Sequence, residues 1–286
     1  MLLCVGLSNI VDAQTFSVSP DKKVYFSPGN LQWSATGGGN TATTHVSATG
    51  TAAGTWRFSE NQYDYIGSSN SYISSYYSGW IDLFGWGTSG YESNGYGSKP
   101  YTSAIDPHTY TLPYNIIDMS LTNHEWGTYN AIYNPKTGTT DAPGTWRSLT
   151  KDEWEYLFKT RPDAVSKYGI ACVNGVNGMI ILPDSWTLPD GLTFKNASEN
   201  HVNEYTLPEW REMEAAGAIF LPAAGNRGTD RMYGVWSTGL YWAATYEFIS
   251  QDYVTAMNFG VGASTLNIGD GINRSSNASV RLVKDE

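Results

Sequence analysis

The chain has 286 residues, of which 41% are hydrophobic, 14% aromatic and only 15% charged, with a formal net charge of −10. That balance supplies one large core or two small ones and speaks against a disordered or coiled-coil chain. No basic cluster is longer than Lys22-Lys23, which excludes the phosphate-neutralising footprint that nucleic acid requires.

Met1–Ala13 is apolar with small residues, and Val11-Asp12-Ala13 fits a signal-peptidase site. The segment reads as a signal peptide over residues 1–13, although no Lys or Arg precedes the apolar run. A secreted or cell-surface domain over residues 14–286 is then expected. No later stretch is apolar for the roughly 20 residues that a transmembrane helix needs. Of the two cysteines, Cys4 would leave with the signal. Cys172 alone supports neither a disulfide framework nor a zinc site and reads as a small buried hydrophobe.

Phe16–Ser19 and Lys23–Phe26 read as short strands. Ser27-Pro28-Gly29-Asn30 reads as a turn in which Gly or Asn accepts positive φ. Gly37–Gly54, rich in Gly, Thr, Ala and Ser, reads as a surface insertion. Thr55–Phe58 leads into Asn61–Ile66 much as Thr145–Ser148 leads into Glu153–Leu157, which suggests two similar strand-to-helix junctions without a true repeat. Trp80–Gly87 is dense in aromatics and reads as a core strand rather than an exposed sugar platform. Thr88–Asp106 reads as a long polar loop. His124-Glu125 is not followed by a second His at metalloprotease spacing, so the pair reads as part of a helix end or loop.

Two helix starts are written as capping boxes: Thr150 with Glu153, and Thr206 with Glu209. The first helix puts Trp154, Leu157 and Phe158 on one face and ends at Arg161-Pro162. Gly178–Pro183 and Ala218–Pro222 read as buried strands.

The C-terminus organises the rest. Gly239–Thr245 and Ser279–Val283 read as core strands, aromatic or β-branched with small residues between. From Tyr246 to Ala278 the residues follow no clean period, and only Met257 and Phe259 keep a strand-like spacing. The stretch reads as loop-rich, with aromatics for contact area and Ser, Gly and Asn for adaptable hydrogen bonds, as in a paratope.

Gly239, Tyr241, Trp242, Ala243, Ala244, Thr245, Phe259, Arg274 and Ser279-Val280-Arg281-Leu282-Val283 together resemble the end of a family of C-type-lectin-like proteins of gut bacteria. These share the fold of the formylglycine-generating enzyme and sulfatase-modifying domains, and some are variable proteins of diversity-generating retroelements. Asn277 stands where that family usually has Gly, at a turn that Asn tolerates. The resemblance extends to Val24–Trp33, Thr55–Gly67, Trp80–Gly90 and Trp146–Phe158. It implies an α+β fold: a single C-type-lectin-like domain with irregular antiparallel sheets, two main helices and long loops.

The oxidase chemistry of that fold needs a pair of cysteines, and the calcium-dependent lectins need clustered oxygen ligands in E-P-N, Q-P-D and W-N-D strings. The mature chain carries one cysteine and none of those strings. Asp184, Asp190 and Asp270 are isolated, and G-x-S-x-G is absent. The expectation is therefore a receptor or adhesin, not an enzyme, with no catalytic residue, metal or cofactor. It would bind a protein or glycan ligand through Tyr246, Phe248, Ser250, Asp252, Tyr253, Asn258, Ile268, Asn273, Ser275 and Ser276. The alternatives are a degenerate sulfatase-modifying-type oxidase and a structural surface or pilus-associated module.

Overall fold

The computed structural model describes residues 14–34, 55–67, 79–91, 118–120, 122–228, 231–245, 253–263, 265–274 and 276–286. Strands dominate and helices are short, an α+β arrangement of several small, mainly antiparallel sheets. The segments 1–13 and 37–54, and most of 88–106, lie outside the described residues.

The first sheet joins the first and last strands of the described residues. It runs β1 (Phe16–Ser17), β2 (Lys23–Phe26), β17 (Leu282–Asp285) and β7 (Arg147–Ser148) in that spatial order. The last strand thus lies between one from the beginning of the domain and one from its middle, with Val283 opposite both Phe26 and Arg147. A second sheet orders β3 (Leu31–Ser34), β4 (Thr55–Phe58), β5 (Ile132–Asn134) and β6 (Thr139–Asp141). A third orders β10 (Glu204–Tyr205), β8 (Tyr168–Val173), β9 (Val176–Ile181) and β11 (Ile219–Pro222). The two-residue strands β12 (Asn226–Arg227) and β13 (Met232–Tyr233) pair with each other. Finally β14 (Thr238–Trp242), β15 (Tyr253–Gly260) and β16 (Leu266–Asn273) form an antiparallel three-stranded sheet.

Among the described residues the α-helices are α1 (Trp126–Tyr129), α2 (Lys151–Glu155) and α3 (Leu207–Ala215). At α2 the Glu153 N–H donates to Thr150 Oγ1 at 3.2 Å and the Thr150 N–H to the Glu153 carboxylate at 2.9 Å, satisfying two end donors reciprocally. A wider turn over Tyr156–Thr160 prolongs α2 to Arg161, and Trp154, Leu157 and Phe158 are all buried, as the spacing predicts. At α3 both the N–H and the hydroxyl of Thr206 donate to Glu209.

The central sheet β14–β16 separates two cores. Leu240, Trp242, Val254 and Ala256 face one that holds Trp33, Trp56, Trp86, Trp126 and Trp146. Tyr241, Met257 and Phe259 face the other, with Phe26, Trp154 and Phe158. Successive side chains of a strand point to opposite faces, so a strand apolar at every position is one buried on both sides. A third core lies under α3, with Trp210 against Phe220.

Several expectations are corrected. The stretch from Tyr246 to Ala278 is less loop-rich than expected, because residues 253–260 and 266–273 pair as a bulged hairpin. Asn61–Ile66 follows β4 as turn and coil rather than helix, so the two junctions differ. Ile81–Gly87 is buried as expected and Trp80 half-buried, but among the described residues the stretch makes isolated bridges rather than a strand, Ile81 to Trp33 and Phe84 to Ala278. Neither Gly29 nor Asn277 adopts positive φ. Gly29 is required by close approach instead: a Cβ there would lie 2.1 Å from Ser59 Oγ. Asn277 bridges Arg227 in extended backbone.

Candidate ligand-binding surface

The candidate surface is built on the hairpin β15–β16. Its register pairs Tyr253 with Asn273, Val254 with Ile272 and Ala256 with Asp270, then slips so that Met257 faces Ile268. Gly269 is the extra residue, at φ +105°, and a Cβ there would lie 3.0 Å from Lys151 Cε. Such a bulge shifts every side chain beyond it to the other face. Ile268 and Ile272 have the same sequence parity, yet Ile268 enters the core beside Met257 and Ile272 packs towards the opposite core.

This geometry sorts the expected contact residues. Tyr253 is 41% exposed and stands opposite Asn273. Asn273 accepts a hydrogen bond from the Ser276 N–H at 2.8 Å through its carbonyl, bringing half-buried Ser276 to the same end. Those three are brought together. Asn258 is not: it lies five residues from Tyr253 on the opposite face, against Leu240 and Asn267. Ile268 is a correction, for at 9% exposure it fills core rather than offering contact. Tyr246, Phe248, Ser250, Asp252 and Ser275 lie outside the described residues. In sequence the first four join Thr245 to Tyr253, so both anchors of that segment flank this end of the sheet.

Beneath the surface the frame is rigid and aromatic. Trp242, Phe259 and Val280 are buried, as expected of a scaffold. The Trp242 indole donates to the Phe84 carbonyl at 2.6 Å and the Trp86 indole to the Ala243 carbonyl at 2.8 Å. Arg274 is buried with its guanidinium 5.7 Å from the Trp86 ring centroid. Arg281, 2% exposed, donates to Gln62 at 2.6 Å and Asn30 at 3.3 Å, and burial pushes it down to about 10. Gln62 in turn donates to Glu214. Asn30 also donates to the Tyr241 hydroxyl, whose own proton goes to the Pro222 carbonyl. This network ties the turn after β2, β11 and β14 to the C-terminus.

Other titratable groups act structurally. Glu125 is fully buried and accepts from the Thr128 N–H at 2.7 Å and from both the N–H and hydroxyl of Ser148 at 2.9 and 2.8 Å. Burial pushes its carboxyl up against those bonds. It caps α1 and joins it to β7, so the His124-Glu125 pair belongs to the frame. Cys172 is half-buried, not fully buried, with its thiol pushed up by burial and by Glu204, the reverse of an activated nucleophile. Among the described residues, no group of three His, Cys, Asp or Glu is placed to hold a metal ion. No described helix is long and apolar enough to cross a membrane.

Two features escaped the sequence reading. A cavity of about 360 Å³ lies where the turn after β15 meets β8 and β9, floored by Ile170 and Met179 and rimmed by Asn196, Glu199 and Thr265. Trp236, in the turn Gly234-Val235-Trp236-Ser237, is 63% exposed with φ +71°. An indole between turn-forming residues was the available signal for it.

Comparison of the chain with models of protein families, with curated proteins and with solved structures finds no match.

Proposed function

We propose that this chain is an exported ligand-binding protein, a receptor or adhesin of the C-type-lectin-like, formylglycine-generating-enzyme-like fold. It engages a protein or glycan ligand through the end of the β14–β16 sheet at Tyr253, Asn273 and Ser276, extended by Tyr246–Asp252 and Ser275. The observation that carries the reading is a contrast along one hairpin. Val254, Thr255, Ala256 and Met257 are buried, whereas Tyr253, next to them, opens to solvent opposite an Asn. A fixed frame ending in an exposed aromatic and small polar groups suits a surface whose contacts change while its scaffold stays.

In the diversified form of this reading, variation among related genes falls on Tyr246, Phe248, Tyr253, Asn273 and Ser276. It spares Met257 and Ile268, which core packing fixes. The test is to exchange residues 245–279 between two natural variants and measure binding on arrays of glycans and surface proteins. Ligand preference should travel with the segment while the unfolding midpoint stays within the variants' own spread. Preference that stays with the remainder of the chain defeats the proposal.

A further inference from the structure

Trp236 is the most exposed aromatic among the described residues. Its backbone is left-handed, a conformation that costs a bulky residue of order 1–2 kcal/mol and that Gly or Asn would adopt more readily. Exposure and strain both oppose a Trp here on stability grounds, and such strain persists only where surrounding structure holds it. The surroundings do hold it. The Trp236 N–H donates to the Ala223 carbonyl at 2.8 Å, and the Asn177 amide donates to the Trp236 carbonyl at 3.0 Å. The same turn is closed by the Ser237 and Thr238 N–H groups, both donating to the Gly234 carbonyl. The indole N–H donates to the Tyr65 hydroxyl, which fixes the ring plane. That phenol accepts the indole bond and keeps its own proton to give away.

We propose that Trp236 and Tyr65 form a carbohydrate subsite that stacks one neutral pyranose ring of a glycan. An oriented indole face supplies dispersion and C–H contact with the apolar face of a sugar, and the Tyr65 O–H supplies a donor to a ring or hydroxyl oxygen beside it. Because the indole N–H is already used, recognition runs through the ring face, which suits a flat ligand. Exposed Tyr233 is three residues away, but one Trp and one Tyr fall far short of the roughly 1,000 Å² that a specific protein interface buries. The chain's net charge of −10 favours neutral sugars over anionic ones. The subsite is separate from the surface at Tyr253. Thr238, two residues after Trp236, pairs with Gly260, and Gly260 lies seven residues, about 24 Å, along β15 from Tyr253.

The experiment follows the indole N–H resonances of the 11 tryptophans while maltohexaose, cellohexaose, xylohexaose and mannohexaose are titrated in separately. The Trp236 resonance is assigned by its loss in Trp236→Phe. At least one hexaose should shift that resonance in a saturable way. Trp236→Ala should then weaken binding about tenfold or more, and Trp236→Phe should recover most of it by restoring an aromatic face. Tyr65→Phe should give an intermediate loss, since the ring keeps its face but loses its tether, and Tyr133→Ala, at a different exposed aromatic, should change nothing. Trp236→Gly should abolish binding without lowering the melting temperature, because it relieves the left-handed strain. The proposal is overturned if none of the four sugars moves the Trp236 signal, if shifts appear only at other tryptophans, or if Trp236→Ala binds as the wild type does.

Discussion

Tyr253 and Asn273 stand directly opposite one another at the end of the β15–β16 hairpin, one step beyond buried Val254 and half-buried Ile272. The boundary between frame and surface therefore falls within a single residue of the strand. Inward along β15, Val254 and Ala256 face one aromatic core and Met257 and Phe259 the other.

That boundary predicts a sharp contrast in stability. Ile268→Ala should cost about 2–5 kcal/mol, as a cavity in a packed core does. Trp242→Ala, which also removes one of the two donors to the Phe84 carbonyl, should cost about 3–5 kcal/mol. Tyr253→Ala, a surface change, should stay within about 0.5 kcal/mol. Urea unfolding of the three variants measures all of this. Equal costs at Tyr253 and Ile268 would erase the boundary.

Gly269 sets the register that makes this sorting possible. At φ +105° and against Lys151, Gly269→Ala should destabilise by about 1–3 kcal/mol. Amide exchange should also quicken in β16 on both sides of the bulge. An unchanged unfolding midpoint would show that the bulge is not required.

The acid limb of stability should depend on Asp184. Burial alone would raise its carboxyl, but the Ser17 hydroxyl and N–H, at 2.6 and 2.9 Å, and the Arg161 guanidinium, at 3.2 Å, hold it below the usual value of 3.8. A depressed carboxylate contributes stability that is present above its unfolded value and is lost as pH falls through its folded value. Unfolding free energies measured downward from about pH 6 should fall below about pH 4 in the wild type. They should fall less steeply in Asp184→Asn, which should already be weaker near neutrality by about 1–3 kcal/mol. Asp285, held low against its own burial by Arg147 and Lys22, leaves a residual slope in the same direction. Parallel curves for the two proteins would remove Asp184 from the account.

What the sequence made legible was local or compositional. The Thr150–Glu153 box and the face of Trp154, Leu157 and Phe158 mark α2 because capping and helical spacing act within one or two turns. Trp242, Phe259 and Val280 are recognisable as core by size and by the small residues around them. The hairpin β15–β16 was hidden for two physical reasons. Its residues are buried on both faces over much of β15, so no alternation shows, and the bulge at Gly269 reverses the parity of Ile268 against Ile272. Composition picked out Tyr253, Asn273 and Ser276 but could not separate them from Ile268 or Asn258, because facing is decided by register. At Trp236 the turn-forming neighbours mark a surface turn, but the size of an indole, which usually means burial, points the other way.

The proposed binding surface requires that the end of the sheet at Tyr253 contact a ligand. Its most direct test compares the wild type with the double variant Tyr253→Ala/Asn273→Ala on arrays of glycans and bacterial and host surface proteins, with unfolding midpoints measured alongside. A ligand bound by the wild type should be lost from the variant while the midpoint is unchanged. An identical binding profile for the two proteins would contradict it.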